Sequence, residues 1–282
     1  MQGLHLRLKY AVDIGLNYLS RNIDDRGRIS NNEHLLHHCA NVFCLAENTE
    51  VESEPIKRAL SFISKNSYSQ NNILFTCDNF NNSLTSVNAL AGLAFASSGR
   101  EDWAVKYATT IVNRQNSDGF ISCDDKSLLI EDDSHIGQSV KLFTRLYELG
   151  FIHFFEKAKL SRDWIIKNGR RNNYWNMIAL TYLRQHDDTD ESEKWIIDSV
   201  NEHKDNLDVC AHYGLVFGGD WEENIAKMCE DRLKQQVPPS DLWNAGAFKE
   251  GEEIRLELSH RYISSFQQIV RVIDSQIQYN KL

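Results

Sequence analysis

The chain has 282 residues, 41% of them hydrophobic and 25% charged, the balance of an ordinary globular protein large enough for one sizeable domain or two small ones. A net charge of −9 argues against a nucleic-acid partner, because binding a phosphate backbone needs a basic face that displaces counterions. Three prolines and 14 glycines are too few for the tight turns of a β-sandwich or barrel, so helices are expected.

The first residues, MQGLHLRLKYAVDIGLNYL, lack the apolar core and small-residue cleavage site of an export signal. No stretch approaches the ~18 apolar residues of a membrane span. The six cysteines (Cys39, Cys44, Cys77, Cys123, Cys210 and Cys229) are scattered and read as reduced thiols, which makes the cytoplasm the expected location.

A repeat runs along the chain: an amphipathic segment that ends in an apolar residue, one spacer, a base and an amide. It occurs at Leu19–Asn22, Ile63–Asn66, Val112–Gln115 and Ile165–Asn168, with looser echoes at Val200-Asn201 and Lys234-Gln235. The amides of the four full copies are 44, 49 and 53 residues apart, room for two helices and their turns. Turn-forming stretches follow at 23–30 (IDDRGRIS) and 116–122 (NSDGFIS). The first helix of each pair carries an apolar stripe, as in Ile56, Ala59, Leu60 and Ile63. The second is nearly free of charge, with none from Asn79 to Gly99 or from Val209 to Gly219. A helix apolar all round is buried and a striped one lies outside it. The alternation therefore predicts an all-α fold, an (α/α)6 toroid of six helical hairpins and twelve helices forming a single domain over residues 1–282. Inner helices should begin near His34, Ser83, Ser134, Trp175, Val209 and His260. Pro55 after Ser53 suits a helix start, and Asp190 with Glu193 suits a capping box. An open solenoid of helix pairs is the alternative.

The outer helix ending in a base and an amide, followed by a turn such as Asn116-Ser-Asp-Gly-Phe120, resembles the repeats of the terpenoid cyclase and protein prenyltransferase superfamily. It is also similar to toroids that act on polysaccharides, including proteins of bacterial exopolysaccharide biosynthesis clusters, which the segment Gly246–His260 resembles most. The run 132–143 (DDSHIGQSVKLF) is similar to the D-x-D-D segment of class II terpene cyclases. That resemblance implies that Asp132 donates a proton to an alkene, although Ile130 stands where the family has its first aspartate. Asp208, Cys210 and His260 match the zinc ligands of the prenyltransferases. Two of the three lie two residues apart, a common spacing, and no metal or cofactor is assigned.

In a toroid, the loops before the inner helices and their first turns surround one mouth, so polar residues there are the site candidates. Asp132, Asp133 and His135 open an inner helix and are the catalytic candidates. One of two neighbouring acids is expected to hold a proton, with His135 adjusting it, unless both are helix caps. Arg255, Glu257 and His260 could grip an anionic sugar or phosphate while moving a proton. Tyr174, Trp175 and Trp243 could stack on a sugar ring, and His34 and His212 complete the expected binding set. His34, His37 and His38 read as mouth-facing or core histidines without an H-E-x-x-H motif. No phosphate loop, dinucleotide fingerprint or serine-hydrolase elbow is present. The polar mouth points to a carbohydrate-active enzyme with a small-molecule or oligosaccharide substrate in polysaccharide synthesis or modification. The alternatives are a terpenoid or prenyl enzyme with Asp132 as proton donor, and a toroid that binds without catalysis.

Overall fold

The computed structural model describes residues 2–29, 35–49, 53–70, 73–76, 84–124, 133–211, 222–241 and 243–279. Their order is α1 (Gln2–Arg21), α2 (Leu35–Asn48), α3 (Glu54–Lys65), β1 (Ser67–Gln70), β2 (Ile73–Thr76), α4 (Thr85–Ser97), α5 (Glu101–Val112) and α6 (Ser134–Glu148). Then come α7 (His153–Asn168), α8 (Tyr174–Arg184), α9 (Asp190–Glu202), α10 (helical over 207–211), α11 (Glu222–Leu233), β3 (Lys249–Glu250), β4 (Glu253–Ile254) and α12 (Leu256–Tyr279). The even-numbered helices are the inner ones. Helix α2 packs on α4, α4 on α6 and α6 on α8, while α12 returns to pack on both α1 and α2. The ring closes, and the chain is the expected α/α toroid. Among the described residues no helix is long and apolar enough to cross a membrane.

The described parts of the charge-free segments are inside, as their composition requires. In α4, every residue from Val87 to Ala96 is buried, whereas α3 buries only the stripe Ile56, Ala59, Leu60 and Ile63. Starts of inner helices fall within two residues of expectation except the last, where α12 begins at Leu256, four residues before His260. The cap of α9 also differs: Thr189, not Asp190, accepts from Ser192 N at 3.2 Å. Two short antiparallel hairpins, β1–β2 and β3–β4, are additions that helical periodicity does not reveal.

The repeated amides do two jobs that differ by one methylene. Asn22, Asn66 and Asn168 are short and turn back to the carbonyl four residues earlier in their own helix (Tyr18, Phe62 and Trp164). Gln115 reaches the next outer helix, donating to Lys157 O and to Ser161 Oγ, both at 2.8 Å. Gln236 does the same to Ala11 O at 2.8 Å across the closure of the ring, so the last copy ends one residue later than the sequence echo suggests. Each turn that follows is closed by a single β-bridge, Gln115 with Ile121 and Gln236 with Phe248. Gly119 (φ +91°) and Gly246 (φ +92°) sit in these turns against the backbone of the next outer helix. A Cβ there would lie 2.0 Å from Leu160 O and 2.1 Å from Ile14 O. Only glycine meets both the left-handed backbone and the close approach.

Candidate functional site

The first turns of the inner helices enclose an open cavity of about 420 Å³, within the ~300–1,000 Å³ usual for small-molecule sites. Helix α2 contributes Leu36, His37 and Ala40, α4 contributes Ser86 and Leu90, and α6 contributes Ser134 and Gln138. Tyr174 and Trp175 open α8, preceded by Arg170, Asn172 and Asn173 in the loop from α7. Helix α12 supplies Leu258, His260 and Arg261. Among the described lining residues there are two guanidiniums and two imidazoles, and no carboxylate. The N-terminal ends of five inner helices point the same way, each adding about half a positive charge.

A network behind the cavity wall holds these residues in place. Asn173 caps α8, its side-chain oxygen accepting from Trp175 N at 2.9 Å and Asn176 N at 3.4 Å. Its amide nitrogen donates to Asp133 Oδ1 at 2.6 Å, tying the first turn of α8 to the start of α6. Asp133 Oδ2 accepts from Arg170 N and from Asn176 Nδ2, both at 2.8 Å. The carboxylate therefore sets the path of the loop that carries Arg170 and Asn172. It makes no cap bond to its own helix. Tyr174 is buried, and burial pushes its phenol above the usual tyrosine range; Arg261 lies 5.6 Å over its ring. Arg261 also pairs with buried Asp208, which accepts from Ser265 Oγ at 2.9 Å as well.

The structure brings together three of the expected site residues, Tyr174, Trp175 and His260. Others lie elsewhere. Asp133 and His135 are buried behind the wall, not in the lining. The His135 ring nitrogen Nε2 meets Ile121 O at 2.8 Å and so ties α6 to the turn after α5. Trp243 is 89% exposed on the loop after α11, which leaves it in solvent and not in a cleft. Arg255 is engaged with Glu250 on the β3–β4 hairpin, which draws it away from the cavity. His34, His212 and Asp132 lie outside the described residues, as does the side chain of Glu257. For the zinc candidates, Asp208 is committed to Arg261, and the Cys210 Sγ donates to His203 O at 3.6 Å.

Sequence reasoning missed Gln138, Ser134, Arg170 and Arg261 as lining. Gln138 is 4% exposed, and its Oε1 is buried without a hydrogen-bond partner. Leaving a buried carboxamide oxygen unpaired costs ~1–3 kcal/mol. The signal was available: Ser134 and Gln138 are four apart, one polar stripe on an inner helix.

No protein-family model and no curated protein matches the chain by sequence. Solved structures do match in fold. A type II terpene cyclase from Scytonema, MstE, in an aspartate-to-alanine variant with the product merosterolic acid A, superposes with a TM-score of 0.63 at 9% identity, covering 96% of this chain and 99% of that one. An arginine-to-alanine variant of the same enzyme, with the substrate geranylgeranyl dihydroxybenzoate, gives 0.63 at 10%, covering 96% and 100%. An alpha-amylase from Clostridium perfringens gives 0.59 at 10%, covering 94% and 97%. Such identities establish the shared toroid and nothing finer.

Proposed function

We propose that the chain is a carbohydrate-acting enzyme, working as one domain over residues 1–282, and that its ligand is an anionic sugar or oligosaccharide held in the cavity at the N-terminal ends of the inner helices. The supporting observation is the lining: Arg170, Arg261, His37 and His260 beside amides and two aromatic rings, without a carboxylate among the described residues. Guanidiniums suit a sugar carboxylate or ester anion, which they can hold through two parallel hydrogen bonds. Tyr174 and Trp175 offer apolar faces to a ring, and Gln138, Asn172 and Asn173 offer partners to its hydroxyls. The imidazoles carry the acid–base work, since histidine alone titrates near neutrality without perturbation. When a guanidinium such as that of Arg170 neutralises a carboxylate, the proton on the adjoining carbon is easier to remove. An imidazole takes it and the electron pair moves onto the carboxylate, the first step of an epimerisation or an elimination. In this reading Asp133 and His135 are positioning residues, and Asp132 is a further proton donor.

The likeness to the Scytonema cyclase over nearly the whole chain favours a second reading, an isoprenoid substrate. Calorimetric titration separates the two. Glucuronate or galacturonate oligosaccharides should bind saturably and neutral glucose oligosaccharides at least about tenfold more weakly. Binding of geranylgeranyl diphosphate but of no acidic sugar would overturn the carbohydrate reading. Binding of acidic sugars with no turnover of any of them leaves a toroid that binds without catalysis.

A further inference from the structure

The opposite end of the ring carries a second, smaller cavity of about 180 Å³, lined by residues from the later turns of the inner helices. Lys141 of α6 lines it and is 6% exposed. Its Nζ sits 4.7 Å from the ring centroids of both Phe43 and Tyr182, and 3.4 Å from Glu47 Oε1. That hydrogen bond is longer than the ~2.7–2.9 Å typical of a charged pair. Arg145 and Arg271 line the same space, so among the described residues three cations face one carboxylate.

Helix-end chemistry explains one of these cations and not the other two. Arg145 lies in the last turn of α6, where the exposed carbonyls favour a positive charge, and it bonds Glu148 at 2.9 Å. Lys141 lies two turns before the end of α6, and Arg271 two turns before the end of α12, too far in for that effect. Among the described residues the Arg271 guanidinium makes no ion pair or hydrogen bond. Burying a lysine against a single loose carboxylate while a free guanidinium shares its cavity is a poor structural arrangement. It is a sound arrangement for an anion.

We propose that this second cavity binds a compact, multiply charged oxyanion of the phosphate class, with Lys141 and Arg271 as its principal partners and Arg145 at the rim. The volume is below the ~300–1,000 Å³ of ordinary ligand pockets, so the group bound is small. The aromatic faces of Phe43 and Tyr182 hold the Lys141 ammonium in place, so little side-chain freedom is lost on binding. The site is separate from the N-terminal mouth, and it stands whether or not the ligand there is a sugar.

The test is isothermal titration of the full chain with inorganic phosphate, pyrophosphate and phenyl phosphate at matched ionic strength, with acetate as the singly charged control. Saturable one-to-one binding of at least one phosphate probe is expected, with acetate weaker. Inorganic ions alone would indicate a free ion as the ligand, and phenyl phosphate binding equally well would indicate the phosphoryl group of a larger molecule. Arg271→Gln, an exposed position, should weaken binding about tenfold or more, and Lys141→Met at least as much. Arg170→Gln in the other mouth should leave it unchanged. The proposal is overturned if no phosphate probe binds saturably, if Arg271→Gln binds like the parent chain, or if Arg170→Gln weakens binding as much. Because Arg271→Gln lies on the surface, it decides the matter even if Lys141→Met does not fold.

Discussion

Neighbouring residues on the same inner helices do opposite things. On α6, Asp133 and His135 point into the wall, where both are partnered: two side-chain amides and a backbone N–H on the carboxylate, a turn carbonyl on the imidazole. Ser134 and Gln138 point to the axis, where the Gln138 oxygen is left without a partner. Helix α2 repeats the division. His38 lies in the wall, its Nδ1 accepting from Ile29 N at 3.3 Å and its Nε2 3.4 Å from Ala59 O, while His37 lines the cavity. One step along a helix turns a side chain by about 100°, enough to separate the group that builds the ring from the group that faces a ligand. These wall groups are partnered and the axial oxygen is not, which is the difference the proposed ligand site draws on.

The comparison breaks most visibly at Asp133. Asp133→Ala should cost about 3–4 kcal/mol in urea denaturation, because three donors in the wall (Arg170 N, Asn173 Nδ2 and Asn176 Nδ2) lose their acceptor. Asp133→Asn, which keeps one acceptor, should cost less. A loss below about 1 kcal/mol for the alanine variant would show that the carboxylate is not structural.

His38 sharpens the same point through pH. Burial first, opposed by the Ala59 carbonyl and Asp24, lowers its pKa from 6.5 to about 4. Between those values the unfolded chain holds the proton and the folded chain does not. Stability is therefore complete above about pH 6.5 and is lost as pH falls towards 4. At pH 5 this residue alone should remove about 2 kcal/mol relative to pH 7. His38→Gln should abolish that part of the pH dependence, and an unchanged slope between pH 5 and 7 would refute the assignment.

At the axis the expected signs reverse. Gln138→Leu removes an unpaired buried oxygen, so stability should hold or rise by up to about 1 kcal/mol. Affinity for an acidic sugar should fall about tenfold in the same titration. Arg170→Gln is the mildest change: within about 0.5 kcal/mol in stability, being exposed, but with weaker ligand binding that no longer depends as steeply on salt.

Much of this was legible in the sequence. The alternation of charge-free and striped helices specified the inner and outer layers and most helix starts, because burial of a helix is decided by its own composition and period; it favoured a ring over an open solenoid, and the packing of α12 on α1 and α2 closes it. Tyr174, Trp175 and His260 were placed at the mouth by the same argument, from position at the start of an inner helix. Which face of that first turn looks inward was not legible. Choosing Asp133 and His135 over Ser134 and Gln138 needs the rotation of α6 about its axis, and that rotation is set by packing against α4, α7 and α8. Nor could residue type separate the repeated amides. Asparagine returning to its own helix and glutamine crossing to the next differ only in reach, and the distance to be crossed exists only once the helices have packed. Local sequence determined what each helix is and which layer it joins. The tertiary structure decided which way each polar side chain points, because that angle is fixed by neighbours distant in the chain.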